Sequence, residues 1–216
     1  MAASNKIIDL RNLLADRFPQ PFTPPVLRLA TGLPAIDDAI GGLPKSAITE
    51  LTSPQVSAGS ALLLYALLQN AQRAGNFLAL VDGRDSFDPQ PVGNGRLRNL
   101  LWVRCTKALE AIKAADLLLR DGNFPLVVLD LVLNASAELR KIPQTSWYRL
   151  QRLVETAPTA FLVLTRASII SSAQLKLSLD NAWTLADLDQ KDHLTSRLKI
   201  LVKRAQGGRQ AIAGAG

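Results

Sequence analysis

The stretch Thr52-Ser53-Pro54-Gln55-Val56-Ser57-Ala58-Gly59-Ser60-Ala61 stands where a phosphate-binding loop would stand. It follows the short apolar run Ala47, Ile48, Glu50, Leu51. The helix-like Leu62-Leu63-Leu64-Tyr65-Ala66-Leu67-Leu68 comes directly after it. Strand, small-residue loop and helix in that order make the layout of G-x-x-x-x-G-K-[ST]. The chemistry of such a loop needs a glycine turn for close backbone approach, a lysine on the phosphates and a hydroxyl on Mg²⁺. Only Gly59 fits. Ser53 takes the opening glycine's place, and the loop is one residue too long. Ser60 stands at the lysine position and Ala61 at the magnesium-hydroxyl position. The layout of a nucleotide site is kept while its reactive groups are missing.

Three further motifs fall in order around this loop. Thr31-Gly32-Leu33-Pro34-Ala35-Ile36-Asp37 runs through Gly41-Gly42-Leu43-Pro44-Lys45 into the loop. Leu80-Val81-Asp82-Gly83-Arg84-Asp85-Ser86-Phe87-Asp88-Pro89 follows, and then the apolar Leu126-Val127-Val128-Leu129 ending in Asp130. On these residues the chain resembles the RecA superfamily from about Leu29 to Arg209. The first segment is similar to "TG-x-x-x-LD-x-x-x-GG-x-P-x-G", the second to "IDAE-x-x-x-DP", and the third to a Walker B strand. The last is the least specific, because most buried parallel strands look alike.

In that superfamily the glutamate of the second motif activates the attacking water. Arg84 holds the matching position, and a guanidinium cannot serve as a general base. With the lysine and the glutamate both replaced, the expectation is a non-enzyme with no cofactor and no metal. Asp82 and Asp130 are then expected to cap neighbouring backbone amides. Thr165 matches a nucleotide-sensing position, and the loop after it (from Arg166 to Ser172) looks short. The altered loop makes the chain similar to the group holding the SOS mutagenesis accessory protein ImuA and the division inhibitor SulA. That resemblance implies a cytoplasmic, non-catalytic adaptor supporting error-prone translesion synthesis. Its expected partner is an error-prone DNA polymerase-like protein or RecA, with single-stranded DNA as a further ligand. The alternatives are an SOS inhibitor of the tubulin-like division GTPase, a single-strand-binding recombination mediator and a divergent ATPase.

Composition bounds these readings. A chain of 216 residues suffices for one sizeable domain, and 48% hydrophobic with 20% charged residues is ordinary for a globular fold. No apolar run approaches the roughly 20 residues of a membrane span, and the N-terminus has no secretory leader pattern. The single cysteine, Cys105, excludes an internal disulfide, and the single histidine, His193, excludes most zinc and nucleophilic-dyad chemistry. A net charge of +7 favours anionic partners.

The elements that must position these residues alternate between strand and helix. Strands are expected at Ala47 to Leu51, Phe77 to Val81, Leu100 to Arg104, Leu126 to Asp130, Ala160 to Thr165, Ala182 to Leu185 and Leu198 to Lys203. Helices are expected at Asp37 to Ile40, Gly59 to Arg73, Thr106 to Leu119 and Trp147 to Thr156, with a loop from Pro89 to Gly95. This predicts an α/β, RecA-like three-layer sandwich with a mostly parallel central sheet and an antiparallel C-terminal edge. Three regions are read: 1–25 as an amphipathic helix with a proline-rich linker, 26–206 as the core domain and 207–216 as a flexible tail. In the helix Ile7, Leu10, Leu14 and Phe18 share one face, suited to a partner, to oligomerisation or to the chain's own sheet.

Two basic surfaces are candidates for DNA or partner contact. One holds Arg140, Lys141, Tyr148, Arg149 and Arg152, cations beside a ring as in single-strand binders. Trp147 sits among them, but its spacing with Leu150, Gln151 and Val154 places it in the core. The other holds Lys203 and Arg204 on the last strand. That strand reads as having one basic face, where lysines also discourage unwanted strand pairing.

Overall fold

The computed structural model describes residues 26–55, 58–183 and 195–205. Nine strands and six helices are assigned among them. A small ribbon pairs β1 (Arg28–Leu29) antiparallel with β2 (Leu43–Pro44). Between them α1 (Pro34–Ile40) is held by Asp37, whose carboxylate accepts the backbone N–H of Thr31 at 2.9 Å and of Gly32 at 2.8 Å, and the Thr31 hydroxyl at 2.8 Å. The Thr-Gly…Asp motif is thus a local clamp that fixes how the chain enters the sheet.

The main sheet comprises β3 (Ala47–Thr52), β4 (Leu78–Asp82), β5 (Leu100–Arg104), β6 (Leu126–Asp130), β7 (Ala160–Thr165), β8 (Leu175–Leu179) and β9 (Ile200–Ala205). Its order is β5-β4-β6-β7-β3-β8-β9, all parallel except the β8–β9 pair. Strands β4 and β7 are buried along their whole length, which is why they read as unbroken apolar runs. On one face α2 (Ser60–Arg73) packs Leu63, Leu64, Leu67 and Leu68 against Leu51, Leu80, Val128 and Leu162. On the other, α4 (Ala108–Asp121) and α6 (Gln144–Glu155) cover Ile48, Val81, Leu129 and Phe161. The short helices α3 (Asn94–Leu97) and α5 (Ser136–Leu139) complete the set. The expected three-layer α/β sandwich and its antiparallel C-terminal edge are therefore observed.

Four local expectations are corrected. The segment Pro89 to Gly95 is not plain loop: Gln90–Val92 forms a 3₁₀ turn and α3 begins at Asn94, since proline suits the first turn of a helix. Leu175–Leu179 is an unanticipated parallel strand, whereas Ala182 and Trp183 lie outside any strand; the rest of that expected strand is outside the described residues. The last strand has no single basic face. Among the described residues nothing covers β9, so Leu201 and Val202 are 42% and 43% exposed beside exposed Lys203 and Arg204. A register shift between Lys176 and Leu177 also breaks its alternation. The N-terminal face of Ile7, Leu10, Leu14 and Phe18, His193 and the tail 207–216 lie outside the described residues.

One buried ionic cluster crosses the sheet. Glu50 on β3 is fully buried and faces Lys176 across the β3–β8 register, with Nζ 3.0 Å from Oε2. Its carboxylate also accepts the Ser168 hydroxyl at 2.8 Å and the backbone N–H groups of Ile169 and Ile170 at 2.6 and 3.0 Å. The chain between β7 and β8 is thereby fastened beneath the sheet.

Candidate functional site

In a parallel sheet the strand C-termini form the natural crevice. Here they bring Thr52, Asp82, Asp130 and Thr165 to one edge. Asp82 and Asp130 are direct register partners on β4 and β6. The two carboxylates have opposite surroundings. Asp82 is 1% exposed and its oxygens accept the N–H groups of Arg84, Ser86 and Phe87 at 3.2, 2.7 and 2.7 Å. It organises the whole turn after β4. Asp130 accepts one recorded hydrogen bond among the described residues, from the Val132 N–H at 2.9 Å. Both acids therefore cap backbone amides, and among the described residues no group of three or more His, Cys, Asp or Glu side chains is placed to hold a metal.

Burial, with the charge of Asp82 adding to it and the Val132 N–H opposing it, pushes the Asp130 carboxyl up to about 6. A protonated Asp130 therefore favours the fold below its ordinary value of 3.8, and that advantage is lost as pH climbs through about 6. Asp130→Asn, which keeps an acceptor for Val132, is expected to raise stability at pH 7.5 by about 1–2 kcal/mol, with the gain vanishing near pH 4. Denaturant unfolding of both proteins at the two pH values measures it.

The loop before α2 is closed in by its neighbours. Gly59 caps α2 with φ 105°, a left-handed conformation suited to glycine, and a Cβ there would lie 2.9 Å from Leu198 Cδ2 and 3.4 Å from Trp183 Nε1. Asn181 closes the same side, donating to the Ala58 carbonyl at 2.9 Å and accepting the Lys199 N–H at 2.8 Å. Ser53 is buried and donates its N–H to Thr165 at 2.7 Å. Ser60 and Ala61 open the first turn of α2, so the first position holds no ammonium and the second no hydroxyl. Arg84 is exposed and its guanidinium donates to the Thr106 carbonyl at 3.2 Å. These residues do not supply what a magnesium-bound triphosphate requires.

A cleft of about 390 Å³ nevertheless remains between α2, the turn after β4 and the chain after β6. Leu64, Tyr65, Phe87, Val92, Val132 and Leu133 give it apolar walls, and Asp88, Asp130 and Arg166 contribute its charged groups. Phe87 is buttressed by an edge-on contact with Trp102 at 5.3 Å, and Arg104 sits 5.0 Å from the same indole ring. Sequence reasoning found Asp130 but missed Phe87, Leu133 and Arg166 as its neighbours. They converge from three different strand ends, which leaves no signal in local spacing.

The candidate contact residues belong to α6, the chain just before it, and β9. Trp147 is 1% exposed and belongs to the core, as its spacing indicated, while Tyr148 is 51% exposed. Arg149 is clamped on Asp116, 2.8 Å from Nε to Oδ1, in a cluster that also takes Arg120. Arg140 and Lys141 are exposed just before α6, and exposed Arg152 lies eight residues into that helix, about 12 Å from its start. Lys203 and Arg204 are on β9, at the far margin of the sheet.

A sequence profile of the RecA N-terminal domain matches residues 21–145. The chain is 35% identical to the protein RecA of Frankia alni over 113 residues, 50% of this chain and 32% of that protein. It is 38% identical to RecA of Clavibacter michiganensis over 112 residues (50% and 31%) and 37% identical to RecA of Leifsonia xyli over 113 residues (50% and 31%). The matched part thus spans about a third of each relative. It takes in Ser53, Gly59, Arg84 and Asp130, while α6 from Ser146 onward and β7 to β9 lie beyond the profile.

Proposed function

The chain belongs to the RecA N-terminal domain family, and from that premise we propose that it is a non-catalytic RecA-fold adaptor in the bacterial DNA-damage response. Its task is to support error-prone translesion synthesis by binding a polymerase-like partner or RecA. One observation carries the non-catalytic part: Ser60 and Ala61 open α2 where a lysine and a magnesium-binding hydroxyl are required. The position matched to the water-activating glutamate is a cation, Arg84, held on a backbone carbonyl. The adaptor part rests on the resemblance to the ImuA/SulA group.

Direct binding of single-stranded DNA is a second reading, favoured by exposed Tyr148, Arg152, Lys203 and Arg204. Their separation across α6 and β9 gives it less support than one continuous basic groove would. The division-inhibitor reading needs no basic surface, so the charge of +7 speaks against it.

Capture of the tagged full chain from DNA-damaged host cells, with mass spectrometry of its companions, tests the proposal. A polymerase-family protein or RecA is the expected recovery, together with no Mg-ATP hydrolysis by the purified chain. Recovery of the division GTPase alone, or measurable hydrolysis, overturns it. If neither protein partner is recovered and DNA is bound with a steep loss of affinity in salt, the single-strand reading takes its place.

A further inference from the structure

The cleft beside α2 has a charge balance opposite to the one a polyphosphate needs. Two carboxylates, Asp88 and Asp130, line it with a single guanidinium, Arg166, so its charged lining is net negative. Asp88 and Arg166 are exposed and reach solvent, whereas Asp130 is drawn in at the end of β6. Asp82 beside it adds a second negative charge, but that carboxylate is already held by three backbone N–H groups. Asp130, with a single recorded N–H partner among the described residues, is the acid still short of a positive neighbour. A desolvated carboxylate in that position gains most from a cation brought in from outside.

The walls narrow the class of cation. Leu64, Tyr65, Phe87, Val132 and Leu133 line the cleft, and Leu133 is 50% exposed. An inorganic ion or a polyamine leaves such walls unused, and a nucleic acid brings phosphates toward Asp88 and Asp130. A protein segment with a long basic side chain next to an apolar one uses both features.

Resting on the non-catalytic reading above, we propose that this cleft receives a lysine or arginine side chain of a protein partner. The cationic head pairs with Asp130 and Asp88, and the neighbouring apolar residue lies against Leu64, Tyr65 and Leu133. The inherited nucleotide crevice thereby serves as a socket for a basic anchor.

The test uses the ¹⁵N-labelled full chain titrated with N-acetyl-Phe-Arg-amide, with its neutral citrulline counterpart and with Mg-ATP. Saturable amide shifts confined to Ser60–Tyr65, Ser86–Val92 and Val132–Leu133 are expected for the arginine dipeptide. Citrulline and Asp130→Asn should each weaken binding about tenfold, the scale of one charge-assisted hydrogen bond. Asp88→Asn, at an exposed site where the Gln90 N–H keeps its acceptor, should weaken it by a smaller factor. Equal binding of the citrulline dipeptide, saturable shifts with Mg-ATP in the same amides, or no shift with arginine overturns the proposal. Polymerase or RecA capture that survives the Asp88→Asn, Asp130→Asn double variant undiminished also overturns the socket while leaving the adaptor intact. Mg-ATP hydrolysis instead removes the adaptor reading itself.

Discussion

Replacing Lys176 by methionine is expected to cost about 3 kcal/mol of stability, within the range for breaking a buried ion pair by removing one partner. The pair sits inside the sheet: Glu50 is fully buried and the Lys176 side chain is 18% exposed. Methionine keeps the length and apolar stem of lysine but leaves the Glu50 charge without its counter-ion. For a chain of this size the melting temperature should fall by about 10 °C. Glu50→Leu fails for a different reason, because the Ser168 hydroxyl and the Ile169 and Ile170 N–H groups lose their acceptor. The double replacement should therefore recover only part of the loss. Guanidinium unfolding of the three variants measures all of this. A single Lys176→Met cost below about 1 kcal/mol, the scale of an exposed pair, would mean the cluster is wet and weak.

Asp82→Ala has the second large effect, again about 3 kcal/mol, because a buried carboxylate that accepts several backbone N–H groups disappears at once. The amides of Arg84, Ser86 and Phe87 then lose their acceptor. The loss reaches the cleft as well, since the same turn carries Phe87 and Asp88. Hydrogen exchange should accelerate at Ser86 and Phe87 while the core of β7 stays protected. Removing the neighbouring charge should also bring the Asp130 carboxyl down from about 6. Unchanged exchange at Ser86 and Phe87 would show that the turn is held by something other than Asp82.

Much of this architecture was legible before any coordinates. Strands buried on both faces must be apolar throughout, so Leu126 to Asp130 and Ala160 to Thr165 carried their own boundaries. Leu175–Leu179 escaped because Lys176 and Ser178 interrupt its apolar residues, and nothing local announces that Lys176 turns inward to Glu50. The pairing of Arg149 with Asp116 was hidden likewise, because it joins two helices distant in sequence. Within the cleft, Ser60 and Ala61 at positions where a phosphate loop would carry a lysine and a hydroxyl were readable from spacing alone. The rest of its lining was not, because Phe87, Leu133 and Arg166 meet only once the sheet is assembled.

The placement of β3 has a bearing on how the molecule comes into being. This central strand pairs with β7 and β8 and with no earlier strand of the sheet. Both neighbours follow residue 145, where the likeness to the RecA profile stops. During synthesis the loop and α2 therefore emerge attached to a strand with no edge to join, and the sheet cannot close until residue 179 has left the ribosome. The stretch most readable as inherited ancestry is accordingly not a folding unit. A nascent chain halted at residue 145 should remain open to proteolysis, and one halted well beyond β8 should not.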